Sequence, residues 1–292
     1  RVVGFWDNPE FGFHNGEPVF GAATGAPTIP GLDPSLPPTE NTESHGASPP
    51  KRRALRRVDL VPGEGAAHLG QLRDVIKQVV LHHDGCYTSG DCCRVLKNRD
   101  LSIHFMLNWD GSIIQGLDPF YKALHSRTMN ETSIGIEINN VAVVIPERRV
   151  RRQDTVFGGF VDYRERTTSV GRCGGGIKES FDYTDAQYTT LVRLLRIFHE
   201  VLGVPLIIPE NDQGLIRRRL SDPLNYRGFL GHWHCQAGKW DPGPGFDWDR
   251  MMEGLHGKSN HWPVLIEGLS PLRDLRNPSA EQVNSISEPL FL

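Results

Sequence analysis

Long hydrophobic runs are missing from this 292-residue chain. The longest, residues 141–145, falls far short of the roughly 18–20 apolar residues that cross a bilayer, so no membrane span is expected. An excess of charge of one sign is missing too. Lys plus Arg total 32 against 35 Asp plus Glu, a formal net charge of -3. No global field therefore draws the protein onto nucleic acid or anionic lipid, and no nucleic-acid-binding motif is recognised. Internal repeats are absent. The chain starts at Arg1 with neither Met nor a charged start followed by an apolar stretch, which reads as a mature or excised form. Cysteine is scarce: Cys86, Cys92, Cys93, Cys173 and Cys235, three of them within eight positions. That spacing fits either a disulfide or a metal site, and the odd number leaves at least one thiol unpaired within the chain.

Glycine and proline are plentiful, 31 and 21 residues, together well above their usual share of roughly 12%. Long irregular stretches around a smaller ordered domain are therefore expected. Residues 21–50 hold seven prolines interleaved with Ser, Thr and Gly, a composition that favours extended chain. We read residues 1–65 as an extended, proline-rich arm. Its basic end (Lys51, Arg52, Arg53, Arg56, Arg57) reads as a solvated turn or helix end sooner than as a docking patch. Ahead of the prolines, residues 2–20 carry Phe5, Trp6, Phe11 and Phe13 without clear periodicity, a segment that could lie across the main domain.

From residue 66 the periodicities sharpen. Leu69, Leu72, Val75 and Ile76 suggest a helix feeding a buried strand, Val79-Val80-Leu81, that ends in His82-His83. Residues 103–107 and 112–115 flank Asn108-Trp109-Asp110-Gly111, where Asp-Gly signals a hairpin. Ile134, Ile136 and Ile138 alternate with Gly135 and Glu137, so Glu137 faces away from the isoleucines. Thr184 and Gln187 form a capping box before a helical stripe of Leu191, Leu194, Leu195, Phe198 and Leu202. Between strand and helix, residues 141–182 form an insertion with Arg148, Arg149, Arg151, Arg152, Arg164 and Arg166; connections of that length are usually functional or disordered.

A histidine pair at a strand end is a weak signal alone. Downstream, however, residues 231–248 gather His232, His234, Cys235, Asp241 and Asp247 in a loop rich in Gly and Pro. Two imidazoles and one carboxylate suit a zinc site that keeps a position open for water. Glu137, polar on an isoleucine-rich strand, is the candidate to take that water's proton. His234 in a His-x-His pair with His232, or Cys235 as thiolate, remain alternative ligands at this stage.

Six stretches then occur in a familiar order. They are Val80-Leu81-His82-His83, Leu101-Ser102-Ile103-His104-Phe105 with Asp110-Gly111, Ala123-Leu124-His125, Asn130 through Glu137, Tyr183-Thr184-Asp185-Ala186-Gln187, and Gly231-His232 with Lys239-Trp240-Asp241-Pro242-Gly243. In this set, over residues 66–256, the chain resembles the type 2 N-acetylmuramoyl-L-alanine amidases, a family that includes the peptidoglycan recognition proteins. The resemblance implies an α/β fold, a mixed central β-sheet flanked by helices, with a short tail at 257–292. It implies Zn2+ held by His82, His232 and Asp241, with Glu137 as catalytic acid/base and Lys239 stabilising the oxyanion. His83, His104, His125 and Trp240 become candidates for substrate binding, with His104 and His125 alternatively supporting a ligand.

The implied activity is hydrolysis of the amide between N-acetylmuramic acid and L-alanine in peptidoglycan or its fragments. A non-catalytic peptidoglycan-binding receptor is the rival, opposed by the complete ligand set. Ile103 stands where some relatives carry a tyrosine near the metal, and the arginine-bearing insertion departs from the minimal pattern. That insertion reads either as a solvated elaboration or as a rim for anionic wall components. Cys86 and Cys92 resemble a disulfide of recognition-protein relatives, which favours an oxidising compartment, a bacterial periplasm or exterior.

Overall fold

The computed structural model describes residues 2–4, 55–56, 65–156 and 158–257. Nearly all of the proline-rich arm, and the tail beyond Gly257, lie outside the described residues. In chain order the elements are β1 (Val2–Gly4), β2 (Leu55–Arg56), α1 (Gly65–Val75), β3 (Gln78–His83), α2 (Ser89–Asn98), β4 (Phe105–Leu107), β5 (Ile113–Gln115), β6 (Tyr121–Lys122) and β7 (Ser133–Ile138). After them come β8 (Arg151–Gln153), β9 (Phe160–Asp162), β10 (Thr168–Cys173), β11 (Gly176–Phe181), α3 (Asp185–Leu202), β12 (Glu210–Asn211), β13 (Gly214–Leu215), β14 (Gly228–Gly231), α4 (His232–Cys235) and α5 (Trp248–His256).

The expected mixed α/β architecture is present. Six strands form the central sheet in the order β1-β5-β4-β7-β3-β14, parallel throughout except for the β4–β5 hairpin. That hairpin turns where Asp110-Gly111 predicts: Gly111 adopts φ 84°, and Asp110 Oδ1 accepts from the Ser112 amide at 2.9 Å.

The sheet is covered on both faces, which is why β3 reads as an unbroken apolar run with Val79, Val80 and Leu81 all fully buried. One face, with Val79, Leu81, Ile134, Ile136 and Ile138, packs on Leu191, Leu195 and Phe198 of α3 and on Met251 and Leu255 of α5. The capping box at Thr184 and Gln187 starts α3, and Gly203 at φ 71° ends it. On the other face, Val80 meets Met129, Leu230 and Cys235, while Met106 and Ile114 meet Cys92, Cys93 and Leu96 of the α2 region. His82 and Glu137 share this second face and are register partners on adjacent parallel strands.

The insertion is built of two antiparallel hairpins, β8–β9 and β10–β11. Its arginines largely bind the insertion itself. Arg148 donates to the carbonyls of Gly85 and Val141, Arg149 to those of Arg164 and Arg166. Arg151, Arg152 and Arg166 lie over the rings of Phe160, Tyr87 and Tyr163 at 3.7, 4.6 and 4.3 Å.

The cysteines correct one expectation. All five are free thiols, so the Cys86–Cys92 disulfide implied by the resemblance is not formed. A hydrogen bond to Cys86, together with burial, pushes the Cys92 thiol well above the ordinary thiol range. Alkylation of the denatured chain without reductant should therefore add five labels by mass spectrometry, and three labels would restore the disulfide.

Candidate active site

Three parallel strands deliver the site. His82 is the fifth residue of β3, His232 begins α4 immediately after β14, and Asp241 follows on the loop that leaves α4. The ends of β3 and β14 are neighbours because the strands pair in register, Leu81 opposite Gly231. Strand ends at the carboxyl edge of a parallel sheet are where such folds place ligands.

His82 Nδ1 lies 2.9 Å from Asp241 Oδ2 and 3.0 Å from His232 Nδ1, and His232 Nδ1 lies 2.9 Å from the same carboxylate oxygen. All three residues are buried, and among the described residues they form the one such cluster of metal-ligating groups. Three lone-pair atoms thus face one another within a near-equilateral triangle. Two protons suffice to bond both rings to Asp241, but the two Nδ1 atoms then remain in unfavourable contact. A cation accepting all three lone pairs resolves that conflict. The spacing is slightly tighter than the roughly 3.3 Å between neighbouring ligands of a tetrahedral zinc with bonds of about 2.0–2.1 Å. The donor set fits zinc, with two imidazoles, one carboxylate and an open fourth position.

Electrostatics prepare the groups for that role. Burial and the neighbouring His232 lower the His82 pKa to about 4, so its ring is neutral and its lone pair available. Burial would raise Asp241, but His232 and His82 pull it well below the usual carboxylate range. Glu137 shifts the other way. Burial, then the charges of Asp84 and Asp241, hold its carboxyl well above its ordinary value. The residue keeps some exposure, yet its Oε2 is sealed and without a partner among the described residues. Lys239 is half-buried, has no ion pair among the described residues, and is close enough to Glu137 and His82 to perturb both.

The other sequence candidates separate. His83 and Trp240 meet edge to face at 4.6 Å, and both ring nitrogens of His83 are buried and without a partner among the described residues. His104 is a candidate either to line the groove or to support a ligand. It is fully buried, accepts from the Gly135 amide through Nδ1 and meets the Tyr121 carbonyl through Nε2, each at 3.0 Å. His125 stands behind His82, its Nδ1 3.0 Å from His82 Nε2. His234 is withdrawn from the metal cluster, bonded to the Gly231 amide and the Ile216 carbonyl, and the Cys235 thiol contacts the Gly231 carbonyl. Trp233 and Trp248 are core residues, their rings 5.7 Å apart and tilted by 57°.

Sequence reasoning missed two supports. Asp84 is a buried carboxyl raised to about 7 by burial, against hydrogen bonds from Asn139 and the amides of Cys86 and Asn140. Its signal was an acid directly after the histidine pair. The second is the insertion itself. At the tip of β10–β11, Gly174 (φ 57°) lies so close to the loop that a Cβ would collide with the Lys239 carbonyl oxygen. Ser180 of β11 accepts from the Gly245 amide at 2.8 Å, and Lys178 reaches over Trp240 at 6.0 Å. The insertion therefore braces the segment that carries Lys239 and Asp241.

The buried Glu137 gives a stability prediction. Its raised pKa means that the unfolded chain ionises first, so the metal-free protein loses stability as pH rises through and above 4.5, Glu137's ordinary value. Metal-free Glu137→Gln should melt several degrees above metal-free wild type at pH 7, and the gap should close towards pH 4 in thermal melts.

The family model for N-acetylmuramoyl-L-alanine amidase matches residues 72–244, more than half of the chain. No curated protein matches by sequence. Similar solved structures include the N-acetylmuramoyl-L-alanine amidase LysC from Clostridium intestinale, at 16% identity over 63% of this chain and 87% of that one, with a TM-score of 0.36. AMPDH3 from Pseudomonas aeruginosa, solved with an anhydromuramic pentapeptide, is 20% identical over 61% of this chain and 59% of its own, with a TM-score of 0.38. Drosophila peptidoglycan recognition protein SD is 14% identical over 74% of this chain and 89% of its own, with a TM-score of 0.34. With the family's match spanning five of the six strands of the central sheet, the histidine pair and the loop through Asp241, the chain belongs to the N-acetylmuramoyl-L-alanine amidase family.

Proposed function

We propose that this protein is a zinc-dependent amidase cleaving the bond between N-acetylmuramic acid and L-alanine in peptidoglycan or muropeptides. The observation that carries the reading is the triangle of His82 Nδ1, His232 Nδ1 and Asp241 Oδ2 beside Glu137. Zinc held there would supply Lewis-acid polarisation of the scissile carbonyl and a water acidified towards neutral pH.

The chain's own groups do the rest. Glu137, with its affinity for protons raised by burial, takes the proton of the attacking water and delivers it to the departing alanine nitrogen. A carboxyl of ordinary acidity would be a poorer proton donor in that second step. Lys239, without a carboxylate partner among the described residues, directs its ammonium at the negative charge that develops on the carbonyl oxygen. His83 and Trp240, each next in the chain to a member of the triangle, meet edge to face. In this reading His83 and Trp240 contact the substrate, Trp240 offering a ring face to a sugar or peptide.

A receptor that only binds wall fragments needs neither the converging ligands nor a buried carboxyl beside them, so the amidase reading is preferred. A wall substrate places the enzyme in the periplasm or outside the cell, an assignment that now rests on substrate alone because the cysteines are unpaired.

Mass spectrometry of a defined muropeptide should show release of a stem peptide beginning with L-alanine, lost on chelation and restored by zinc. Binding without cleavage by the zinc-loaded protein would favour the receptor. Glu137→Ala should lower turnover by about 10²–10⁴-fold while zinc stays bound. Lys239→Ala should reduce kcat by roughly 10²-fold with a smaller change in KM, since its partner charge appears only in the transition state.

A further inference from the structure

We propose that His125 is a positioning residue that fixes His82 as a metal ligand through a one-way chain of hydrogen bonds ending at the Met129 carbonyl; the inference rests on the amidase reading above. His82 presents Nδ1 to His232 and Asp241, and its other nitrogen, Nε2, lies 3.0 Å from His125 Nδ1. Beyond that ring, His125 Nε2 lies 3.2 Å from Ser133 Oγ, and the Ser133 hydroxyl donates to the Met129 carbonyl at 2.6 Å.

Only one assignment of protons serves a metal. If His82 Nδ1 gives its lone pair to a cation, the ring's hydrogen must sit on Nε2 and point at His125. His125 must then accept through Nδ1 and carry its own hydrogen on Nε2, aimed at Ser133. The serine oxygen accepts that hydrogen, and its hydroxyl hydrogen is already committed to a carbonyl, which can only accept. The carbonyl at the far end thereby sets the direction of every hydrogen back to His82. A metal-bound imidazole whose other nitrogen is so held is both oriented and more basic.

A second, independent feature shows the place prepared for this ring. A Cβ on Gly135, the strand residue beneath it, would stand 2.6 Å from His125 Nδ1 and 2.7 Å from its Cγ. The loop carrying the ring is pinned as well, since Asn130 Oδ1 accepts from the amides of His125 and Ser126 at 3.1 and 2.7 Å. His232 offers a contrast within the same site, because its Nε2 is buried with no partner among the described residues. Of the two imidazole ligands, His82 is the one that is braced.

The test is zinc affinity of the full chain, measured by competition with a chromogenic chelator, together with the visible spectrum after cobalt(II) loading. His125→Ala should weaken zinc binding by about 10–100-fold and alter the cobalt spectrum. His125→Asn, whose carbonyl can accept the same hydrogen, should stay close to wild type, and Ser133→Ala should fall between them. Wild-type affinity and spectrum in His125→Ala would overturn the proposal. So would equal losses in His125→Asn and His125→Ala, since packing alone would then explain both. Should His125→Ala fail to fold, Ser133→Ala decides: weaker binding supports the chain, and unchanged binding overturns it. A wild-type chain with no affinity for zinc would instead remove the amidase reading itself, and that result is read before any variant is made.

Discussion

Parallel pairing of β14, β3 and β7 is the constraint on which the site depends. Hydrogen bonds along these strands hold their carboxyl ends at one edge of the sheet, and residues 150 positions apart in the chain thereby come within bonding distance of one point. The apolar run of β3 and the isoleucines of β7 hold that edge in place by being buried on two faces at once. Any slip of one residue would turn His82 to the wrong side of the sheet and remove it from Glu137. Register, which carries no chemistry of its own, is what makes three lone pairs converge.

The convergence opposes the general tendency of an interior to exclude charge. Burial keeps His82 neutral and raises the proton affinity of Glu137, while Asp241 remains ionised because two imidazoles lean on it. One anion, one neutral lone pair and one reluctant acid stand side by side, and each owes its state to its neighbours and to lack of water. Hydrogen bonds around them are directional at His82, and among the described residues they are missing at the ring nitrogens of His83 and at His232 Nε2. An arrangement of this kind is unfavourable for an empty fold and suited to one that receives a cation and a polar substrate.

Much of this was legible in the chain. The β4–β5 turn was announced by Asp110-Gly111, α3 by its capping box, and the two faces of β7 by strict alternation. The meeting of His82, His232 and Asp241 was foreshadowed by ordered motifs, because residue type and order survive in a sequence even when distance does not. Other features were not readable. Whether His104 touched substrate or backbone depended on which way a loop turned, and the structure buries it against the Gly135 amide. The disulfide drawn from relatives fails here, although Cys86 and Cys92 are near enough to share a hydrogen bond. The role of the arginines was hidden as well, because their partners are carbonyls and rings that any sequence would supply.

Gly174 gives the insertion a meaning that its position in the chain conceals. With a left-handed backbone and no room for a side chain, it lets the tip of one hairpin rest on the backbone of Lys239. The hairpin has thus become part of the footing of the loop that carries Lys239 and Asp241. Such an arrangement makes the two segments inseparable in descent. A loop transplanted from a relative without the hairpin would arrive unsupported, and a shortened hairpin would leave the native loop to find a new resting place. Residues 141–182 and 239–245 should therefore be inherited, lost or exchanged as a single module, however far apart they lie in the chain.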